Sequence, residues 1–344
     1  MYSVRIGTPF CGRELERLIT FLQQQELRYD ESITYTVVLE DEGTIAATGS
    51  CHNNVIKCVA VAPEYRGQNL LSEIMTQLTA HFFNQGITHY FGFTKPKNRV
   101  LFGNMGLYPV AETEDILLLE NRKNGLKRYL AQLTRQTEQA MGQQTAGKGN
   151  GIGAIVANCN PFTRGHRYLM ETAAGQCEWL HVFILSEEQG MFGAEERFRM
   201  VQDGVQDIPN IILHPTSDYL ISPAVFPTYF IKDKSRAYEI NCMLDITLFC
   251  EAIASELHIT KRFVGSEPHC AVTNAYNTCL KQHLPKYGIQ LMELPRLETG
   301  GRVISASAVR EAMQRGMLQE VADMLPESTF TCLERREHNA GTEA

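Results

Sequence analysis

The chain is organised around residues 151–166, GIGAIVANCNPFTRGH. An apolar run long enough for one buried strand breaks at Asn160-Pro161 and gives way to a helical pattern from Gly165 through Leu169, Met170 and Ala173. A strand that stops at a proline and feeds a helix presents that helix's unpaired N–H groups over the sheet edge. Those donors and the helix dipole favour an anion, most often phosphate. Thr163 is placed to cap the helix, Gly165 lets a ligand approach the backbone, and His166 adds a donor on the first turn.

The totals narrow the classes. A length of 344 residues suggests two domains, since domains commonly hold about 100–150 residues. Net charge is −7 with no basic tract, which speaks against nucleic acid as a partner. No apolar run approaches the roughly 20 residues that span a bilayer, and Met1–Arg5 lacks a signal peptide's apolar core. The 10 cysteines form no CxxC pair and no Cys/His metal spacing, so reduced thiols in a cytoplasm are expected.

Residues 1–120 read as one α+β domain. Strands are expected at Ile33–Leu39 and Thr44–Gly49 around the turn Asp41-Glu42-Gly43, and at Val55–Val61. Leu70, Leu71, Ile74, Leu78 and Phe82 then mark an amphipathic helix, entered through Tyr65-Arg66-Gly67-Gln68-Asn69. Residues 121–150 read as a polar helix followed by a flexible linker with glycine at 142, 147 and 149. From 151 to 344, strands and helices alternate, which implies a parallel sheet in a Rossmann-like layout with ligands over the strands' carboxyl ends.

Two further stretches fall at that edge. Ile304-Ser305-Ala306-Ser307-Ala308-Val309-Arg310 offers serines to cap a helix start and a forked permanent cation one turn on. Phe263-Val264-Gly265-Ser266-Glu267 runs from a strand into a polar turn, where Gly265 permits close approach and Ser266 or Glu267 offers hydrogen bonds. The aromatic and proline-rich region 216–229, with Pro223, Pro227 and Tyr229, could line an acceptor pocket or serve as a rigid connection.

Thr163-Arg164-Gly165-His166 resembles the T/HxGH signature of the nucleotidyltransferase superfamily, and Ile304–Arg310 resembles its ISxSxxR element. The string Asn158 to His166 is similar to one branch, the citrate lyase synthetase (ligase) family. Val59–Gly67, with Asn98 and Met105-Gly106-Leu107, resembles the GNAT acetyltransferase fold. The implied architecture is α/β: a GNAT-like domain at 1–120, a connection at 121–150 and an adenylylating domain at 151–344.

The resemblance implies an ATP-dependent ligase that activates acetate as acetyl-AMP and acetylates the CoA-derived thiol of the citrate lyase acyl carrier subunit. His166, Arg310 and Thr163 would act on the phosphates. Asn158, Asn160, Pro161, Phe162, Gly165, Ile304, Ser305 and Ser307 would surround the nucleotide, with Gly265, Ser266 and Glu267 at the adenosine. Arg66 and Gly67 would hold a CoA-type group. Mg2+ would be carried by ATP, since no protein metal cluster is visible in the sequence. GNAT sequences favour small residues where Asn69 and Leu71 stand, and many carry a proton-donating tyrosine where Phe102 stands. Acyl transfer by that domain alone is therefore not expected. Two other readings stay open: an adenylyltransferase for a pantetheine- or nucleotide-phosphate acceptor, and a GNAT acetyltransferase with a regulatory nucleotide-binding domain.

Overall fold

A computed structural model describes residues 2–186, 190–220, 229–231, 236–267 and 271–342. The chain divides into two compact units, Met1–Lys127 with Pro223–Leu248, and Arg128–Ser222 with Phe249–Ala344.

The first unit begins with β1 (Ser3–Gly7), α1 (Gly12–Gln24), β2 (Tyr35–Asp41), β3 (Thr44–His52), β4 (Val55–Val61) and α2 (Leu70–Asn84). It continues with β5 (Phe91–Thr94), α3 (Arg99–Gly103), β6 (Tyr108–Glu112) and β7 (Leu117–Glu120). These strands form one sheet in the order β1-β2-β3-β4-β5-β7-β6. The turn Glu42-Gly43 joins β2 to β3, with Asp41 opposite Thr44 and both turn residues at positive φ, as a tight hairpin requires. Ile74, Leu78 and Phe82 of α2 are buried with Val37 and Leu39 of the sheet, so the expected apolar stripe is the core-facing side. The strand β6 carries Pro109, which reads as a break in sequence; it is tolerated because β6 is an edge strand paired only to β7 and bulged after Pro109.

One pairing in this sheet is short and leaves a gap. β4 and β5 run parallel but pair at only Val55–Phe91 and Ile56–Gly92. Beyond those residues the strands part, opening a cleft with a volume of about 700 Å³.

The second unit contains most of α4 (Gly125–Met141), then β8 (Ile152–Ala157), α5 (Arg164–Ala174), β9 (Trp179–Ile184), α6 (Ala194–Val205) and β10 (Ile211–Pro215). The helix α7 (Ala237–Leu248) belongs instead to the first unit and packs on β6. The second unit resumes with β11 (Ile259–Gly265), α8 (Ala271–His283), β12 (Gln290–Leu294), the short pair β13 (Glu298–Thr299) and β14 (Arg302–Val303), α9 (Ala306–Gln314) and α10 (Glu327–Thr342). Its sheet has the order β10-β9-β8-β11-β12 with every pairing parallel, so the carboxyl ends of β8 and β11 share one edge. Gly153 on β8 lies so close to Cys177, Phe263 and Leu180 that a Cβ would stand 2.5–3.1 Å from them. The sheet is tightly packed at its centre.

Two departures from the sequence reading have physical causes. The glycines at 147 and 149 read as a flexible linker, yet the Gly147 amide donates to Glu178 O at 2.8 Å, and a Cβ at either position would meet backbone at 2.2–2.3 Å. Glycine is needed there for close approach rather than freedom. The 121–150 helix likewise is no mere surface bridge: Leu133 is fully buried, and Tyr129 stacks on Tyr219 and donates to Pro215 O at 3.2 Å. No described helix is long and apolar enough to cross a membrane.

Candidate functional site

The turn after β8 is built from a left-handed residue, Cys159 at φ 51°, and a cis Asn160-Pro161 bond. Arg197, fully buried on α6, holds the turn from behind by donating from Nη1 to Asn158 O at 2.8 Å and to Asn158 Oδ1 at 2.5 Å. Phe162 is fully buried against Gly204. Asn158 and Phe162 were expected around the nucleotide; here the Phe162 ring is buried beneath the turn, while Asn158 is exposed and its Oδ1 accepts from Arg197. Arg197 was not singled out in the sequence, where nothing distinguishes it from a surface helix charge.

Thr163 caps α5, accepting from His166 N at 3.4 Å, while its own N–H donates to His166 Nδ1 at 3.1 Å. That reciprocal box fixes the imidazole tautomer. A nitrogen accepting from a backbone amide carries no proton, so in the neutral ring the proton sits on Nε2. Burial, with the charge of Arg296 nearby, pushes the His166 pKa down to about 4. His166 is therefore a neutral donor at physiological pH, and among the described residues its Nε2–H has no partner.

The second motif arrives from the other side of the same edge. Ser305 caps α9, accepting from Ala308 N at 3.4 Å. Arg310 donates from Nη2 to Ser307 Oγ at 3.0 Å and from Nη1 to the carbonyl of Asn160 at 2.5 Å. Ile304 lies over Gly165, where a Cβ would stand 3.6 Å from Ile304 Cγ2. The two helix starts thus meet at one place, with Pro161 and Asn160 between them. Asn160 is 8% exposed and its Oδ1 has no hydrogen-bond partner among the described residues. A buried acceptor left open costs about 1–3 kcal/mol unless something fills it, so this position fits a ligand hydroxyl or amino group.

At the end of β11, nothing stands within 4 Å of a Cβ built on Gly265. Its carbonyl accepts from Asn277 Nδ2 at 3.0 Å. Ser266 N donates to Leu294 O at 2.8 Å, and Glu267 pairs with Arg296. Arg296 carries no motif and was not legible in sequence; only its position after β12 brings it to this edge.

In the first unit, Arg66, Gly67 and Asn69 line the cleft between β4 and β5. Gly67 at φ 80° and Asn69 at φ 64° turn the backbone into α2, whose start has no side-chain cap. Arg66 is exposed; its N–H donates to Pro63 O at 3.3 Å, and its guanidinium makes no hydrogen bond or ion pair among the described residues. Phe102, Tyr229 and Phe230 also line the cleft, and Tyr229 donates to Phe93 O at 3.2 Å. Tyr229 belongs to the 216–229 region read as either an acceptor pocket or a rigid connection; Pro223 and Pro227 lie outside the described residues.

Comparisons with known proteins agree with both sheets. The model of the citrate lyase ligase C-terminal domain matches residues 152–333, and that of the GNAT acetyltransferase family matches residues 5–101. Fold and site define a GNAT-like domain followed by a nucleotidyltransferase-like α/β domain. A citrate pro-3S-lyase ligase of Klebsiella pneumoniae is 38% identical over 92% of this chain and 92% of its own length. Its counterpart from Haemophilus influenzae is 37% identical over 97% of this chain and 99% of its own. The chain belongs to the citrate lyase ligase family. A phosphopantetheine adenylyltransferase of Streptococcus gordonii is 26% identical over 54% of this chain and 94% of its own length.

Proposed function

We propose that this protein activates acetate with ATP and passes the acetyl group to the CoA-derived thiol of the citrate lyase acyl carrier subunit, in the cytoplasm. In the first step an acetate oxygen attacks the α-phosphorus, the bond from that phosphorus to the bridging oxygen breaks, and pyrophosphate leaves. In the second step the thiol sulfur attacks the acetyl carbon, the carbon–oxygen bond to AMP breaks, and the thiol proton departs to a base. Acetate is already ionised at neutral pH, so the first step needs no general base. Its obstacle is the meeting of two anions, which positioning and charge neutralisation overcome.

The observation that carries this reading is the meeting of the α5 and α9 starts, joined by Arg310 and Asn160. His166 Nε2–H, without a partner among the described residues, and the Arg310 guanidinium supply donors for a polyphosphate, the unpaired Asn160 Oδ1 offers an acceptor, and the bare Gly265 backbone leaves room for the nucleoside. Thr163 acts through His166 by fixing its tautomer. Among the described residues no group of three or more acidic, histidine or cysteine side chains could hold a metal ion by itself. Mg2+ would be held by the phosphate oxygens and would lend them its charge.

The cleft in the first unit suits a pantetheine arm: its walls include Val59, Leu71, Phe93 and Phe102, and Arg66 and the uncapped start of α2 also line it, for a phosphate. With Phe102 in place of a tyrosine, this unit holds the arm and supplies no proton to a departing thiolate through that position. The test is transfer of labelled acetate to purified acyl carrier subunit bearing its prosthetic group. One AMP and one pyrophosphate should appear per acetyl thioester formed. Thioester formed from acetyl-CoA without ATP cleavage would instead favour the GNAT acetyltransferase reading.

A further inference from the structure

Arg296 lies just past β12, at the edge where the two helix starts meet. Its Nε donates to Ser266 O at 3.1 Å and its Nη2 to Glu267 Oε1. Arg296 and Glu267 side chains are only 29% and 19% exposed. The next residue, Leu297, accepts at its carbonyl from Ile304 N at 3.1 Å, and Ile304 covers Gly165 at the start of α5. Arg296 is therefore tied on one side to the end of β11 and on the other to the junction of both motifs. Among the described residues, its Nη1 has no partner. An arginine with one half of its fork fastened and the other half open is a preorganised binder for phosphate oxygens. Charge bookkeeping points the same way. With His166 neutral and the Arg164 side chain fastened to Leu325 O at 3.0 Å, Arg310 is the one permanent cation the two motifs leave for a ligand carrying three or four negative charges. The field of Arg296 reaches His166, where it helps hold the ring unprotonated.

We infer that Arg296 is a phosphate-binding residue for the nucleotide's polyphosphate, held in position by Glu267 and Ser266; this rests on the adenylylation reading above. Glu267 then serves as the brace for that guanidinium rather than as a contact to adenosine.

The test is the equilibrium affinity of the full chain for ATP and for adenosine, with Arg296→Gln and Arg296→Lys beside the unsubstituted protein. Arg296→Gln should weaken ATP by about tenfold or more while adenosine changes by less than about threefold. Arg296→Lys, which keeps the charge but loses the fork, should recover part of the ATP loss. ATP affinity unchanged within about threefold, or an equal loss for both ligands, would overturn the inference. If Arg296→Gln does not fold, Arg296→Lys decides: a lowered ratio of ATP to adenosine affinity supports the role, and an unchanged ratio refutes it. Failure of the ligase reading looks different. The unsubstituted protein would then prefer ATP through Arg296 and yet give no acetate-dependent pyrophosphate exchange.

Discussion

Arg310 donates from Nη1 to the carbonyl of Asn160 across 150 residues of sequence, and that bond fastens the α9 start to the turn that opens α5. It makes Arg310 both a source of positive charge and a fixture of the cis-proline turn. Replacement by alanine removes both, so Arg310→Ala should lower pyrophosphate exchange by at least about tenfold. Arg310→Lys retains charge without the fork and should fall between the two, as initial rates at saturating ATP would show.

The neutral imidazole makes a prediction about pH. The pKa of His166 is pushed down to about 4 by burial and by Arg296, so the ring stays unprotonated above that value. Exchange activity should therefore cross the usual histidine range near pH 6.5 without an inflection, staying level down to about pH 5.5. A loss of activity as pH rises through about 6.5, measured as kcat/KM for ATP at saturating acetate, would show that His166 works as a cation.

A second pair of histidines governs stability. His181 on β9 and His214 on β10 are fully buried, with His181 Nδ1 2.9 Å from His214 Nε2 and Gln136 Oε1 3.1 Å from His214 Nδ1. Burial lowers both, His181 to about 4 and His214, also facing His181, to about 3. The unfolded chain takes up protons below about pH 6.5, which the folded chain refuses until about pH 4. Stability is thus full above pH 6.5 and falls as pH drops through that window, by about 2 kcal/mol for each histidine at pH 5. Urea unfolding at pH 7.5 and pH 5 checks it, and the double variant His181→Leu/His214→Leu should lose much of the difference.

Two glycines should separate packing from ligand access. A Cβ at Gly204 would stand 2.3 Å from the Phe162 ring, so Gly204→Ala should cost about 1–3 kcal/mol of stability. A Cβ at Gly265 meets nothing within 4 Å, so Gly265→Ala should shift stability by less than about 0.5 kcal/mol. If the nucleoside lies against that backbone, the same change should weaken ATP by about tenfold. Thermal melting and ATP titration of both variants read the two effects apart.

Much of this was legible because local chemistry wrote it twice. The Thr163 and Ser305 caps are visible as a hydroxyl ahead of a helical period, and the strand Val55–Val61 and the Arg262–Gly265 end of β11 follow from short runs that stop at turns. The start of β11, Ile259-Thr260-Lys261 with two polar residues, was not read as strand. Partners supplied by the tertiary fold were not legible. Arg197 and Arg296 look like surface charges until the fold brings Asn158 and Glu267 to them. The path of α7 back to the first unit was hidden for the same reason, since its apolar pattern names no partner and only packing on β6 assigns it. The closing helix α10 was missed because its sequence is mostly polar, with Leu333 its anchor in the core.

The central claim is that the edge shared by His166 and Arg310 holds ATP for attack by acetate. The measurement that meets it most directly is exchange of labelled pyrophosphate into ATP by the purified protein, with and without acetate and in the absence of any carrier subunit. The account predicts exchange that depends on acetate and is lost in His166→Ala and Arg310→Ala variants that remain folded. Pure, folded protein that binds ATP but exchanges no label, or variants that exchange as fast as the parent, would contradict it.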